Sequence, residues 1–143
     1  MTWGSRCTLW RDMQGAALVE FALLAPVIFA LMIGVLQVGL HMLAYNAVRS
    51  VASDTARYTI VEYQKNLKIT AGDIEGQATR YAVQAPYTLD QSNLTTTATK
   101  PVSDIAGTTK FLLTITYDPD NMLGFFGIGS PTITVTRPIY VAT

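Results

Sequence analysis

The sequence predicts an α+β protein. A long N-terminal helix of membrane-spanning character precedes a small domain of a short helix and about three antiparallel β-strands. Three observations lead there. The run from Phe21 to Leu40 is apolar and holds no ionisable residue. Apolar positions recur at threes and fours from Ala44 to Tyr58, and again from Ile74 to Ala85, which is helical spacing. After Pro86 the composition shifts to Thr, Val, Ile and Tyr in period-two alternation, which is strand spacing.

In the first element, Gln37 is the one polar side chain between Phe21 and Leu40. At 1.5 Å per residue, about 20 residues cross the ~30 Å hydrocarbon core of a bilayer. A cleaved secretory signal has a shorter apolar region, usually ~7–15 residues. Arg6 and Arg11 stand against Asp12 before the run, and Arg49 and Arg57 against Asp54 after it. Basic residues therefore tip the N-terminus toward the cytoplasm only slightly. Pro26 inside the run would break a water-soluble helix but is tolerated in a membrane. Gly34 and Gly39 fall outside the small-xxx-small dimerisation spacing.

The totals narrow the function classes. The 143 residues suffice for one domain and a short appendage. Half are hydrophobic and 14% are charged, too apolar for a disordered chain. A formal net charge of zero gives no indication of nucleic-acid binding. Cys7 is the sole cysteine, so no intrachain disulfide and no cysteine-based metal site can form. Ser5-Arg6 before it lacks the small, apolar run of a lipidated cysteine.

Glu20 interrupts this apolar stretch, and two readings stand. In one it is an interfacial carboxylate that reaches the headgroups from near the helix end. In the other, Gly15 is the last residue of a leader. Cleavage there makes Ala16 the first residue and Glu20 the fifth, one helical turn away. The new α-amine is largely protonated near neutral pH and complements a carboxylate in its own chain or a neighbour.

The residues of "GAALVEFALLAPVIFALMIGVLQVG" carry a family resemblance. A short basic leader ending in Gly, a carboxylate at mature position five, an aromatic and a long apolar helix resemble the class III leader of type IV pilin-like proteins. Gly15, Val19, Glu20, Phe21, Ala22, Leu23, Pro26, Gly34 and Gly39 resemble the TadE/TadF-like minor pilins of the tight-adherence (Tad/Flp) pilus. Ala47, Ala52, Ala56 and Arg57 in "YNAVRSVASDTARY" are similar to that family's continuation. The resemblance is strong over residues 15–58 and loose beyond. Gln37 and His41 depart from it, where relatives often carry Glu and Arg.

The resemblance implies a leader over residues 1–15, an apolar assembly helix over 16–43 and an exported α+β part over 44–143. It implies processing between Gly15 and Ala16 by a prepilin peptidase, with Glu20 and Phe21 as determinants of processing and assembly. The implied partners are that peptidase, other pilin-like subunits, the Tad secretion machinery and the membrane. The implied location is the inner membrane in a single pass, with passage to the pilus or cell surface after assembly. The implied role is structural, in assembly, initiation or adhesion, and not enzymatic. A type II secretion pseudopilin is the close variant. A permanently anchored envelope binding or adaptor domain, which would keep residues 1–15, is the alternative from another class.

Beyond the apolar run, "LAYNAVRSVASDTARYTIVEYQK" continues the helix. Ala44, Val48, Val51 or Ala52, Thr55 and Tyr58 make one face, and Arg49, Ser53, Asp54 and Arg57 the opposite one. A rod from about Ala17 to about Tyr63 would be roughly 70 Å long, ending near Asn66. "TAGDIEGQATRYAVQ" predicts a second helix capped by Thr70, with Asp73 and Glu75 in its first turn. Its inner face is Ile74, Ala78, Tyr81, Ala82 and Ala85, and Pro86 stops it; Gly76 weakens the prediction. "NLTTTATK", "KFLLTITYD" and "TITVTRPIYV" predict three strands. Phe111, Leu113, Ile115 and Tyr117 share a face, as do Ile133 and Val135. Pro138 makes the last strand an edge or ends it.

"DPDNMLGFFGIGSP" joins the last two strands as a long apolar loop. It either folds onto its own core or offers Leu123, Phe125 and Phe126 to a partner. Asp118, Asp120 and Asn121 lack the further oxygen ligands of a calcium loop. No nucleophile motif, phosphate loop or HExxH occurs. The sequence therefore implies no catalytic residue, no metal and no cofactor.

Overall fold

The computed structural model describes residues 6–66 and 68–142, with side chains from residue 15 onward other than those of residues 66, 125 and 126. The elements run α1 (Arg6–Asn66), α2 (Ala71–Val83), β1 (Leu94–Thr99), β2 (Thr108–Tyr117) and β3 (Ile133–Ala142). This is the expected α+β arrangement. The chain divides into two units, residues 1–38 and 39–143; α1 contributes to both.

The first unit holds the apolar run up to Val38. Helix α1 begins at Arg6, well before the expected Ala17, and carries Pro26 without interruption. A proline nitrogen has no hydrogen to donate, so the ladder loses one bond there while the rest persists.

In the second unit, α1 from Ala44 onward and α2 cover one face of the sheet. Strand order is β1-β2-β3, antiparallel throughout. The buried face of the central strand is the predicted one: Phe111, Leu113, Ile115 and Tyr117. Opposite them on α1 lie Ala44, Val48, Val51, Ala52 and Ala56, which alternate between both of the expected helix positions. Buried Thr59 donates to Thr55 O at 2.8 Å, so its hydroxyl is satisfied within the helix. Tyr63 meets Phe111 edge to face at 6.4 Å.

Helix α2 begins as predicted. Thr70 Oγ1 accepts from Asp73 N at 3.3 Å, and Asp73 Oδ2 accepts from Thr70 N at 2.9 Å, a reciprocal capping box. Ile74, Ala78 and Ala82 are buried, whereas Ala85 lies past the helix end and is exposed. Gln84 is already extended, as the residue two before Pro86 permits once the helix is finished.

Of the two expectations for Pro138, an edge strand or a strand end, β3 meets the first. It runs through Pro138, which pairs with Leu112, and continues to Ala142. Pro138 is accommodated because β3 is an edge strand. The inward register continues from Ile133 and Val135 through Arg137 to Ile139 and Val141. At the Arg137 position Nη1 donates to Ser53 Oγ at 2.9 Å. Ser53 and Asp54 are thus half-buried and bonded to neighbouring elements, rather than solvated with Arg49 and Arg57. The outward face of the sheet is threonine-rich: Thr95 pairs with Thr116 and that with Thr134, and Thr97 with Thr114 and that with Thr136.

Candidate functional site: the exposed apolar helix

The site begins with helical geometry. Gly15, Ala16, Glu20 and Phe21 all lie within α1 and are exposed. Ala16 and Glu20 are four residues apart, so they share one helix face a turn apart. A carboxylate at Glu20 would therefore lie one turn from an amine at Ala16 if the preceding peptide bond were cut. Phe21 is 67% exposed.

From Leu18 to Leu43 the large apolar side chains stand exposed almost without exception. The most apolar 18-residue stretch of the helix is entirely unburied. Exposure on this scale is unfavourable in water, since each buried apolar side chain gains about 1.5–3 kcal/mol. This helix is long and apolar enough to cross a membrane, and it has the character of a membrane anchor. Small Ala25, Ala30 and Gly34 are only partly exposed. Gln37 differs from its neighbours in being buried. Glu20 is the sole ionisable residue between Gly15 and Leu40.

The second expected contact, the β2–β3 loop, is more ordered than an irregular loop. Met122–Phe126 form a short 3-10 helix. Asn121 Oδ1 accepts from Leu123 N at 3.1 Å, and its Nδ2 donates to Ile128 O at 2.8 Å, so one side chain ties both ends. Gly127 closes the turn with a left-handed φ of 73°, a conformation that suits glycine. Leu123 is half-buried; Met122 and Ile128 are exposed. The side chains of Phe125 and Phe126 lie outside the described residues. Asp118 accepts from Thr132 at 3.3 Å and Asp120 from Asn93 at 3.4 Å. Among the described residues no three His, Cys, Asp or Glu converge on a common point.

The structure assigns the helix residues to its first unit and the loop to its second. It also reveals a feature that sequence reasoning passed over, an open hollow lined by α2 and the end of α1. Its signal was present as Gly72 and Gly76, two glycines one turn apart in a helix of 13 residues. Gly76, in the helix interior, costs about 1 kcal/mol relative to alanine; Gly72 is the second residue of α2.

The chain matches no curated protein and no solved structure. Residues 15–57 match the model of a family described as TadE-like protein. The matched stretch starts at Gly15, takes in Glu20 and the whole exposed apolar run, and ends in the part of α1 that packs on the sheet; over those residues the chain is similar to the TadE-like family.

Proposed function

We propose that the chain is a minor pilin of a tight-adherence (Tad/Flp) type IV pilus. It acts as a structural, non-enzymatic subunit in assembly, initiation or adhesion. A prepilin peptidase cuts between Gly15 and Ala16. The apolar helix holds the subunit in the inner membrane in a single pass, with the C-terminal α+β part exported. Glu20 then pairs with the new α-amine and sets the register in which apolar helices pack once they leave the bilayer. Other pilin-like subunits and the Tad secretion machinery are its partners.

The observation that carries this reading is the TadE-like match beginning at Gly15. Its first residue coincides with the proposed cut, and it takes in the run from Leu18 to Leu43, where the large apolar side chains stand exposed almost without exception. The size of the second unit supports a minor rather than a bulk subunit.

The test is the N-terminal residue of the protein purified from its native membranes, by intact mass and terminal peptide sequencing. A start at Ala16 is expected. A start at Met1 or Thr2, with an active prepilin peptidase in the cell, would reject processing and favour a permanently anchored adaptor domain.

A further inference from the structure

Within the second unit, the contacts of α1 with the sheet fix the register between them. Tyr63 meets the Phe111 ring, and its hydroxyl donates to Thr109 Oγ1 at 3.5 Å. Ser53 accepts from Arg137, whose partner across the ladder is Leu113. A step toward the N-terminus of α1 is therefore a step toward the end of β2. Ser53 to Ala44 is about 14 Å along a helix. Leu113 to Tyr117 is about 13 Å along a strand. Tyr117 thus stands level with Ala44, and the β2–β3 turn leaves the sheet on the side of Leu40, Met42 and Leu43. Those three are exposed, belong to the second unit and end the apolar run. Tyr45 follows them with Arg49 5.8 Å over its ring, and these are residue types of a headgroup interface.

The turn itself satisfies its backbone from within. Leu123 N donates to Asn121 Oδ1, Gly124 N to Asn121 O, Gly127 N to Gly124 O and Ile128 N to Leu123 O. Asn121 Nδ2 donates in return to Ile128 O at 2.8 Å. A loop in water can leave such groups to solvent, whereas hydrocarbon demands that they pair inside the segment. Met122 and Ile128, at opposite ends of the turn, are each 54% exposed. Residues 118–132 hold no lysine or arginine. Their acids, Asp118 and Asp120, bond to Thr132 and Asn93 at the strand ends. Attraction to anionic headgroups therefore gives this loop nothing, and apolar partition is what it has to offer.

We propose that the Met122–Ile128 turn rests in the boundary between headgroups and acyl chains of the bilayer that α1 crosses. It is a second membrane contact beside the helix, and it occupies the shallow depth of about 5–10 Å typical of interfacial segments. While the subunit is anchored, two contacts rather than one fix the second unit against the membrane. The proposal rests on the membrane-anchor reading of α1 and not on the pilus role.

The test is fluorescence quenching of the full chain in phosphatidylcholine nanodiscs, one chain per disc, with Cys7→Ser throughout. A bimane label is placed through Met122→Cys, Ile128→Cys, Val102→Cys or Leu31→Cys. Val102, in the β1–β2 loop at the opposite end of the sheet, is 94% exposed and serves as the aqueous reference. Leu31 lies within the apolar run and reports the span itself. A lipid spin-labelled near its headgroup should quench positions 122 and 128 several-fold more than position 102, and iodide should do the reverse. A lipid labelled near the end of its acyl chain should quench position 31. Iodide quenching at 122 and 128 equal to that at 102 would overturn the proposal. So would shielding from iodide without quenching by lipid, which would assign the turn to protein cover. If position 31 is quenched and 122 and 128 are not, the turn contact alone fails; if position 31 escapes lipid quenching, the membrane anchor fails and the contact with it.

Discussion

Glu75 Oε1 accepts the backbone N–H of Ala98 at 2.7 Å, across 23 positions of sequence. A helix side chain thereby occupies a ladder position on the outer edge of β1. The adjacent Thr79 and Thr96 hydroxyls, 2.7 Å apart, extend the seam. An open edge strand is a template for pairing with another chain, and this contact occupies one of its donors. Glu75→Ala should leave a half-buried donor without its acceptor and cost about 1–3 kcal/mol. Thermal unfolding of the full chain in detergent checks it. Glu75→Gln, which keeps an acceptor oxygen, should recover part of the loss. Equal stability of Glu75→Ala and wild type would show that the contact carries nothing.

The cap of α2 responds to acid. The side-chain hydrogen bond from Thr70, and then the bond from its backbone N–H, hold the Asp73 carboxyl below its ordinary 3.8. A group with a depressed folded-state pKa contributes stability above its unfolded value and loses it as pH falls through the folded one. The cap should therefore be complete at neutral pH and weaken below about 3.8. Thr70→Ala should cost about 1 kcal/mol at pH 7 and flatten the acid dependence of α2. Amide exchange of the first α2 turn against pH measures both effects, and an acid dependence retained in Thr70→Ala would refute the coupling.

Gly76→Ala should raise stability by about 0.5–1 kcal/mol, because the alanine methyl meets open space. Few unselected substitutions in a native helix stabilise it, so the sign is the discriminating observation. A fall in melting temperature would mean that the hollow is filled in the folded protein by something the α2 backbone must approach closely.

Much of this architecture was legible because it rests on periodicity. Phe111, Leu113, Ile115 and Tyr117 alternate strictly, and all four are buried. Thr70 and Asp73 announced the start of α2 by residue type and spacing alone. Burial set by another element was not legible. Ser53 and Asp54 read as a polar helix face, yet Arg137 and Tyr87, distant in sequence, reach back to bond them. Pro138 looked like a possible strand end, and only the edge position of β3 lets the pairing run on to Ala142. The two α2 glycines showed only as a lapse in propensity, because the empty space beside a residue has no trace in local sequence.

Glu20 supplies the prediction that separates assembly from anchoring. It is exposed and lies within an otherwise uncharged run, so its removal disturbs no packing inside the chain. Leucine in its place favours insertion, since acidic residues oppose entry into hydrocarbon. Glu20→Leu should therefore reach the membrane fraction in wild-type amount while the cell loses assembled pili. Immunoblots of membrane fractions and electron microscopy of cells read the two quantities separately. If the carboxylate served only to meet the headgroups, both would be unchanged, and normal piliation by the variant would end the amine–carboxylate account. Mass analysis of the same membranes tells which stage fails. An uncut chain places Glu20 at the peptidase, and a chain beginning at Ala16 places it at the packing of one apolar helix against another.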